Sequence, residues 1–78
     1  MQELMDLIAL TMDVPSSRVN ENSVAAEFVK WDSLRIVLLG SMLEQTYDVT
    51  LTTDETSSLK SVRAVIDVLQ RHEVQLAA

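Results

Sequence analysis

Apolar residues near the start of the chain recur at helical spacing, at Leu4, Leu7, Ile8 and Met12. A stripe at this spacing is typical of an amphipathic helix that buries one face. Pro15 limits the helix, because the residue before a proline is pushed out of the helical region. The pattern therefore predicts a first helix over residues 2–13.

The segment 16–31 shows no sustained apolar period. A connection of this length is uncommon in a compact domain unless it is functional or packs through its own side chains. A short turn of helix is expected near residues 24–27. We expect four apolar residues to anchor this loop to the core, namely Val19, Val24, Phe28 and Val29.

A second helix is predicted over residues 33–47, and it carries two apolar stripes. One stripe comprises Ile36, Val37, Leu43 and Tyr47, and the other comprises Leu34, Leu38 and Met42. A helix that is apolar nearly all round is either central in a large core or shows one stripe to a partner. Because 78 residues supply only a small core, we interpret Leu34 and Leu38 as a docking stripe.

The last third of the chain predicts an extended connector followed by two helices. Residues 48–53 alternate threonine with Val49 and Leu51, a pattern that superficially suggests a strand. Because a lone strand would have no pairing partner, we expect an extended connector whose Val49 and Leu51 fill the core. Residues 54–58 suit one brief helical turn with an acidic start. Ser61 is a good N-cap for a final helix, and residues 73–78 are expected to fray. The apolar positions of that final helix are Val62, Val65, Ile66 and Leu69.

The overall composition limits the classes of function. Twelve acidic residues against six basic ones give a formal charge of −6, which argues against a nucleic-acid partner. The chain has no cysteine, so disulfides, thiolate metal sites and cysteine nucleophiles are excluded, and no metal site is expected. The longest apolar run, 36–39, is too short to cross a membrane, and the first residues lack the basic region of a signal peptide. We expect a single-domain, cytoplasmic monomer without a membrane partner.

Candidate chemistry centres on Asp32-Ser33-Leu34 at the start of the second predicted helix. A serine at this place lies beside unpaired backbone N–H groups and the positive end of the helix dipole. A phosphodiester attached to its hydroxyl would therefore be electrostatically favoured. The simpler interpretation is that Asp32 or Ser33 only caps the helix.

The order and spacing of these elements resemble those of acyl carrier proteins. The similar segments are 4–13, the long first loop, 31–34, 43–48 and 61–69. The resemblance implies an all-α fold: a four-helix bundle with three long helices, a short third helix and a long first loop. It also implies that Ser33 carries 4'-phosphopantetheine, installed from coenzyme A by a separate phosphopantetheinyl transferase, with Asp32 and Leu34 supporting the motif.

The same resemblance implies a non-catalytic carrier. The terminal thiol of the arm would hold acyl groups as thioesters and present them to the acyl-loading, condensing or modifying enzymes of one pathway. The small aliphatic core predicts that this cargo slips between the second and fourth helices.

Departures from the family pattern bear on the partners. Lys30 stands where many members have glycine, and Arg35 and Leu38 occupy positions that are often acidic, so Glu44 is the one acid of the second helix. These differences favour a carrier of polyketide, nonribosomal-peptide or related specialised biosynthesis over a housekeeping fatty-acid carrier. The surface predicted to dock partners comprises Leu34, Arg35, Val37, Leu38 and Ser41.

Two other functions stay open at this point. An unmodified helical adaptor would use the same apolar face of the second helix to hold another protein. A small hydrolase with Ser33 as nucleophile has little support, because the single histidine, His72, is remote in sequence. We expect His72 to complement the dipole at the end of the last helix, and Trp31 and Tyr47 to pack in the core or against the loop.

Overall fold

The structure is a computed structural model that describes residues 1–76, and over these residues it is all helical. The four α-helices are α1 (Gln2–Met12), α2 (Ser33–Tyr47), α3 (Thr53–Ser57) and α4 (Val62–Arg71). Two 3-10 turns, Ser16–Arg18 and Ala25–Glu27, lie in the first loop. The predicted fold class, with three long helices, a short third helix and a long first loop, is confirmed.

The helix ends are set by side-chain caps and by residues in the left-handed backbone conformation. The Asp32 carboxylate Oδ1 accepts from the backbone N–H of Arg35 at 3.0 Å, which fixes the start of α2. Ser61 Oγ accepts from the N–H of Ala64 at 3.0 Å and caps α4 in the same way. Asp13, with φ 59°, ends α1 one residue earlier than predicted, because this left-handed conformation cannot continue the helix.

The first loop is attached to the connection between α3 and α4. The N–H of Ala25 donates to the carbonyl of Lys60 at 2.8 Å, and the indole Nε1–H of Trp31 donates to the carbonyl of Leu59 at 2.9 Å. Trp31 is buried and its ring lies 5.6 Å from that of Phe28, so its predicted packing role is confirmed. These contacts fix the path of the first loop across the bundle, although its sequence shows no regular apolar period.

Two of the four predicted loop anchors are wrong. Val19 and Phe28 are buried, but Val29 is fully exposed and Val24 is 43% exposed. The turn Ala25–Glu27 directs Phe28 inward, and the next residue then faces solvent. Val24 instead takes part through its backbone, which forms an isolated bridge with Ser61.

The core forms among the inner faces of α1, α2 and α4, with Leu59 between α3 and α4. On α2 the buried residues are Leu39, Gly40 and Leu43. Val37 shares a predicted stripe with the buried Leu43 but is itself 61% exposed, as its place on the predicted docking surface requires. The predicted core roles of Val49 and Leu51 are confirmed, since both are half-buried against the cluster.

The short helix α3 is held from two sides. Gly40 allows a close approach to α2, because a Cβ at this position would lie 3.1 Å from Thr56 Cγ2. The His72 ring Nε2 lies 2.9 Å and 3.1 Å from the two carboxylate oxygens of Glu55, which ties α3 to the end of α4. The single histidine therefore pairs with Glu55, in addition to lying at the end of α4 where the helix dipole is negative.

Beyond α4, Val74 and Leu76 are half-buried against the core. The predicted frayed segment 73–78 includes Ala77 and Ala78, which lie outside the described residues.

Candidate functional site

Ser33 is the first residue of α2 and is exposed. Asp32, immediately before it, is occupied as the cap of the helix. The first N–H groups of a helix have no intrahelical acceptor, and this helix end carries a positive partial charge. The Ser33 hydroxyl is therefore accessible and lies where a negatively charged substituent would be favoured.

A cleft of about 270 Å³ opens beside Ser33. Its lining comes from the start of α2, from α3 and from the residue before the cap of α4: Ser33, Ile36, Val37, Thr56, Ser57 and Lys60. The sequence led us to expect cargo between the second and fourth helices, whereas this cleft lies between α2 and α3. Its position depends on Gly40, since the contact of Gly40 with Thr56 sets how closely α3 approaches α2.

Apolar side chains on α2 continue from the serine as an exposed surface, here called the α2 patch: Leu34, Val37, Leu38 and the small residue Ser41. Their spacing of i, i+3, i+4 and i+7 places them on one face of the helix. Leu34 is 75% exposed and Leu38 is 45% exposed. Four of the five residues predicted to dock partners thus lie together and are accessible, and docking itself stays a prediction.

Arg35, the fifth predicted docking residue, has an internal partner. Its guanidinium Nη1 donates to the carbonyl of Thr11 at 2.7 Å, in the last turn of α1. A cation suits the negative end of a helix dipole, so this contact stabilises the packing of α2 on α1.

Lys30 forms an ion pair with Asp13, the residue that ends α1. The hydrogen bond and the charge of Lys30 lower the pKa of the Asp13 carboxyl below its ordinary value of 3.8. The lysine that stands where many carriers have glycine therefore ties the loop before Ser33 to α1.

No protein-family model matches the chain. The acyl carrier protein of Buchnera aphidicola subsp. Baizongia pistaciae (strain Bp) is 24% identical over 71 residues, which cover 91% of this chain and 91% of that protein. The helical bundle agrees with this similarity. The chain is therefore similar, over most of its length, to a member of the acyl carrier protein family. Members of this family are non-catalytic carriers that generally hold phosphopantetheine and interact with the enzymes of a pathway.

The single acidic residue of α2, Glu44, also stabilises the fold. Glu44 Oε2 accepts from the backbone N–H of Leu51 at 2.9 Å and holds the connector to α3. Neither this bond nor the pairing of Glu55 with His72 could be read from local spacing, because the partners are seven and 17 residues apart. Thr52, whose Oγ1 caps α3 through the N–H of Glu55 at 3.1 Å, could have been found, since Thr-x-x-Glu is a capping-box pattern.

Three further observations concern metal ligands, membrane spans and Tyr47. Over residues 1–76, no group of three histidine or acidic side chains is arranged to hold a metal ion. Within the same residues, no helix is both long enough and apolar enough to cross a membrane. Tyr47 is half-buried against the core, as predicted, and this burial, followed by the charge of Glu3, raises the pKa of its phenol above 10.0.

Proposed function

We propose that Ser33 carries 4'-phosphopantetheine and that the chain is one carrier domain. The observation that carries the proposal is the exposed Ser33 hydroxyl, which opens α2 directly after the capping Asp32 and lies at the mouth of a cleft. The similarity of the chain to an acyl carrier protein supports the same assignment. When bound, this group supplies a terminal thiol that holds acyl groups as thioesters.

Installation requires a separate phosphopantetheinyl transferase and coenzyme A. Ser33 Oγ forms the new bond to phosphorus and loses its proton, and the nucleotide part of coenzyme A leaves. The surroundings of Ser33 support the role of acceptor rather than of nucleophilic catalyst. The ring of His72 is engaged by Glu55 at the far end of α4, and the carboxylate of Asp32 caps α2.

The partners proposed are the acyl-loading, condensing or modifying enzymes of one specialised pathway, of the polyketide, nonribosomal-peptide or a related kind. The α2 patch supports docking through apolar contact close to Ser33. Both charged residues of α2, Arg35 and Glu44, have partners inside the fold, which leaves little free charge on this helix for a partner to recognise. Arg35 thereby takes the lesser part in the proposed docking surface.

The exposed α2 patch also favours a second function, that of an unmodified helical adaptor. An adaptor needs the patch but does not need Ser33. The two functions therefore differ in whether Ser33 can be modified.

Intact mass after incubation with coenzyme A and a broad-specificity transferase tests the proposal. Wild type is expected to gain the mass of one phosphopantetheine, and Ser33→Ala is expected to gain none. Ser17→Ala, which removes an exposed hydroxyl from the first loop outside both the α2 patch and the cleft, is the matched control and should be modified like wild type. An unshifted wild type would contradict the carrier function and favour the adaptor.

A further inference from the structure

Lys60 is the one cationic residue that lines the cleft beside Ser33. It lies in the connection between α3 and α4, between the buried Leu59 and the capping residue Ser61. The other lining residues of the cleft are hydroxyl-bearing or aliphatic. Among the lining residues, Lys60 is therefore the source of positive charge in the cleft.

The backbone on both sides of Lys60 is fixed. Its N–H donates to the carbonyl of Ser58 at 2.7 Å, and its carbonyl accepts from the N–H of Ala25 at 2.8 Å. The carbonyl of Leu59, the preceding residue, accepts from the Trp31 indole at 2.9 Å. These bonds hold the origin of the lysine side chain in one position relative to the cleft.

The Lys60 ammonium forms no ion pair with the other residues that the structure describes. Within residues 1–76 it has no acidic side chain at ion-pair distance, whereas Lys30 pairs with Asp13 and Arg63 lies 3.9 Å from Glu21. The charge of Lys60 is therefore available to a ligand in the cleft.

A phosphodiester on Ser33 Oγ would be repelled by the negative charge around it, and a nearby cation would offset this repulsion. The carboxylate of Asp32 is adjacent in sequence, and the net charge of the chain is already −6. The end of the α2 dipole offsets part of this repulsion, and a lysine can offset more of it, since an ammonium binds phosphate as a point charge.

The geometry points to Lys60 as the residue that holds the phosphodiester of the arm on Ser33. This inference rests on the proposed modification of Ser33 and adds a specific recognition residue to it. Lys60 thereby keeps the base of the arm at the mouth of the cleft, which Thr56 and Ser57 also line.

The test compares the melting temperature of the apo protein with that of the arm-bearing protein, each verified by intact mass. Wild type, Lys60→Gln, Lys60→Arg and Arg18→Gln are measured at low salt. The difference between the two forms should fall by about 2–4 °C in Lys60→Gln, the size expected for one exposed ion pair in a small domain. Lys60→Arg should keep the wild-type difference. Arg18→Gln, which removes the same charge from the first loop outside this cleft, should keep it as well.

The phosphorus NMR signal of the arm is the second readout. It should shift between wild type and Lys60→Gln, and that shift should shrink in 1 M salt, where the screening length is only about 3 Å. Equal melting differences and an unchanged phosphorus signal in Lys60→Gln would overturn this inference alone. Absence of added mass on wild type would overturn the proposed function and this inference together. A response confined to a malonyl-loaded arm, which has a free carboxylate, would assign Lys60 to the cargo and overturn its assignment to the phosphodiester.

Discussion

The two faces of α2 have similar side chains and opposite surroundings. Leu39 and Leu43 are fully buried in the core, whereas Leu34 is 75% exposed and Val37 is 61% exposed. The difference shows that hydrophobicity alone does not mark the core of this protein. The inner face is defined by what the other helices can cover, and the outer apolar face begins beside Ser33, where a partner can reach it.

The largest expected effect comes from truncating the inner face. Leu39→Ala should lower the free energy of unfolding by about 2–5 kcal/mol, because the deleted atoms leave a cavity in a close-packed core. Leu34→Ala, the matched truncation on the outer face, should change it by no more than about 0.5 kcal/mol. Urea unfolding followed by circular dichroism measures both. Equal losses would show that the two faces do not differ in the way that their exposure indicates.

Gly40→Ala tests how closely α3 can approach the buried side of α2. The added Cβ would lie 3.1 Å from Thr56 Cγ2 and 3.3 Å from Thr56 Oγ1. Alanine favours the helix by about 1 kcal/mol, but overpacking typically costs about 1–3 kcal/mol, so we expect a net loss of about 1 kcal/mol.

A double-mutant cycle checks the cause of that loss. In a Thr56→Ala background the obstructing atoms are gone, and Gly40→Ala should become stabilising. A loss of the same size in both backgrounds would show that the Thr56 side chain is not what limits the approach of α3.

Several features of this comparison could be predicted from the sequence and others could not. The bounds of α2 follow from local chemistry, since Asp32 caps its start. The burial of Leu39 could not be predicted, because a helix that is apolar nearly all round has no unique stripe. The pairs Lys30–Asp13 and His72–Glu55 each join residues 17 apart, so they depend on how the helices pack.

The position of the cleft has the same origin. Ser33 could be identified from its motif, but the approach of α3 to α2 depends on the absence of a side chain at Gly40. A glycine inside a predicted helix does not reveal which neighbour comes close to it.

Lowering the pH is expected to have a smaller effect on stability, through protonation of Glu55, whose carboxylate links α3 to His72. The pKa of Glu55 lies below its ordinary 4.5, chiefly because its carboxylate accepts from the backbone N–H of Thr52, and secondly because it accepts from His72. The folded state therefore binds this proton less readily than the unfolded state does. The resulting stability is present above pH 4.5 and is lost as the pH falls through the lowered pKa.

Thermal melts of wild type and Glu55→Gln between pH 7 and pH 3 test this point. The stability difference between the two proteins should shrink as the pH falls below 4.5. Asp54→Asn removes the same charge from the adjacent residue and separates the effect of the pair from that of net charge. A difference that is constant over this pH range would contradict the role given to the Glu55 carboxylate.

The smallest effect on stability, and the sharpest test of the outer face, is expected for Leu38→Glu. Leu38 is 45% exposed, and glutamate has nearly the same helix propensity as leucine, so the free energy of unfolding should change by no more than about 0.5 kcal/mol. Modification of Ser33 should nevertheless slow, with kcat/KM for the transferase falling about fivefold or more, because a charge then enters the centre of an apolar contact. Thr46→Glu, an exposed site near the other end of α2, should leave this rate unchanged.

The salt dependence of the modification rate distinguishes two ways in which the transferase could recognise this protein. Contacts between exposed charges weaken as salt rises, whereas burial of the α2 patch should change little between low and moderate salt. The wild-type rate should therefore vary little over that range. Unfolding of Leu38→Glu would instead place Leu38 in the core. A rate that collapses with salt would mean that the enzyme recognises acids beyond α2, with Asp48 and Asp54 among the exposed candidates.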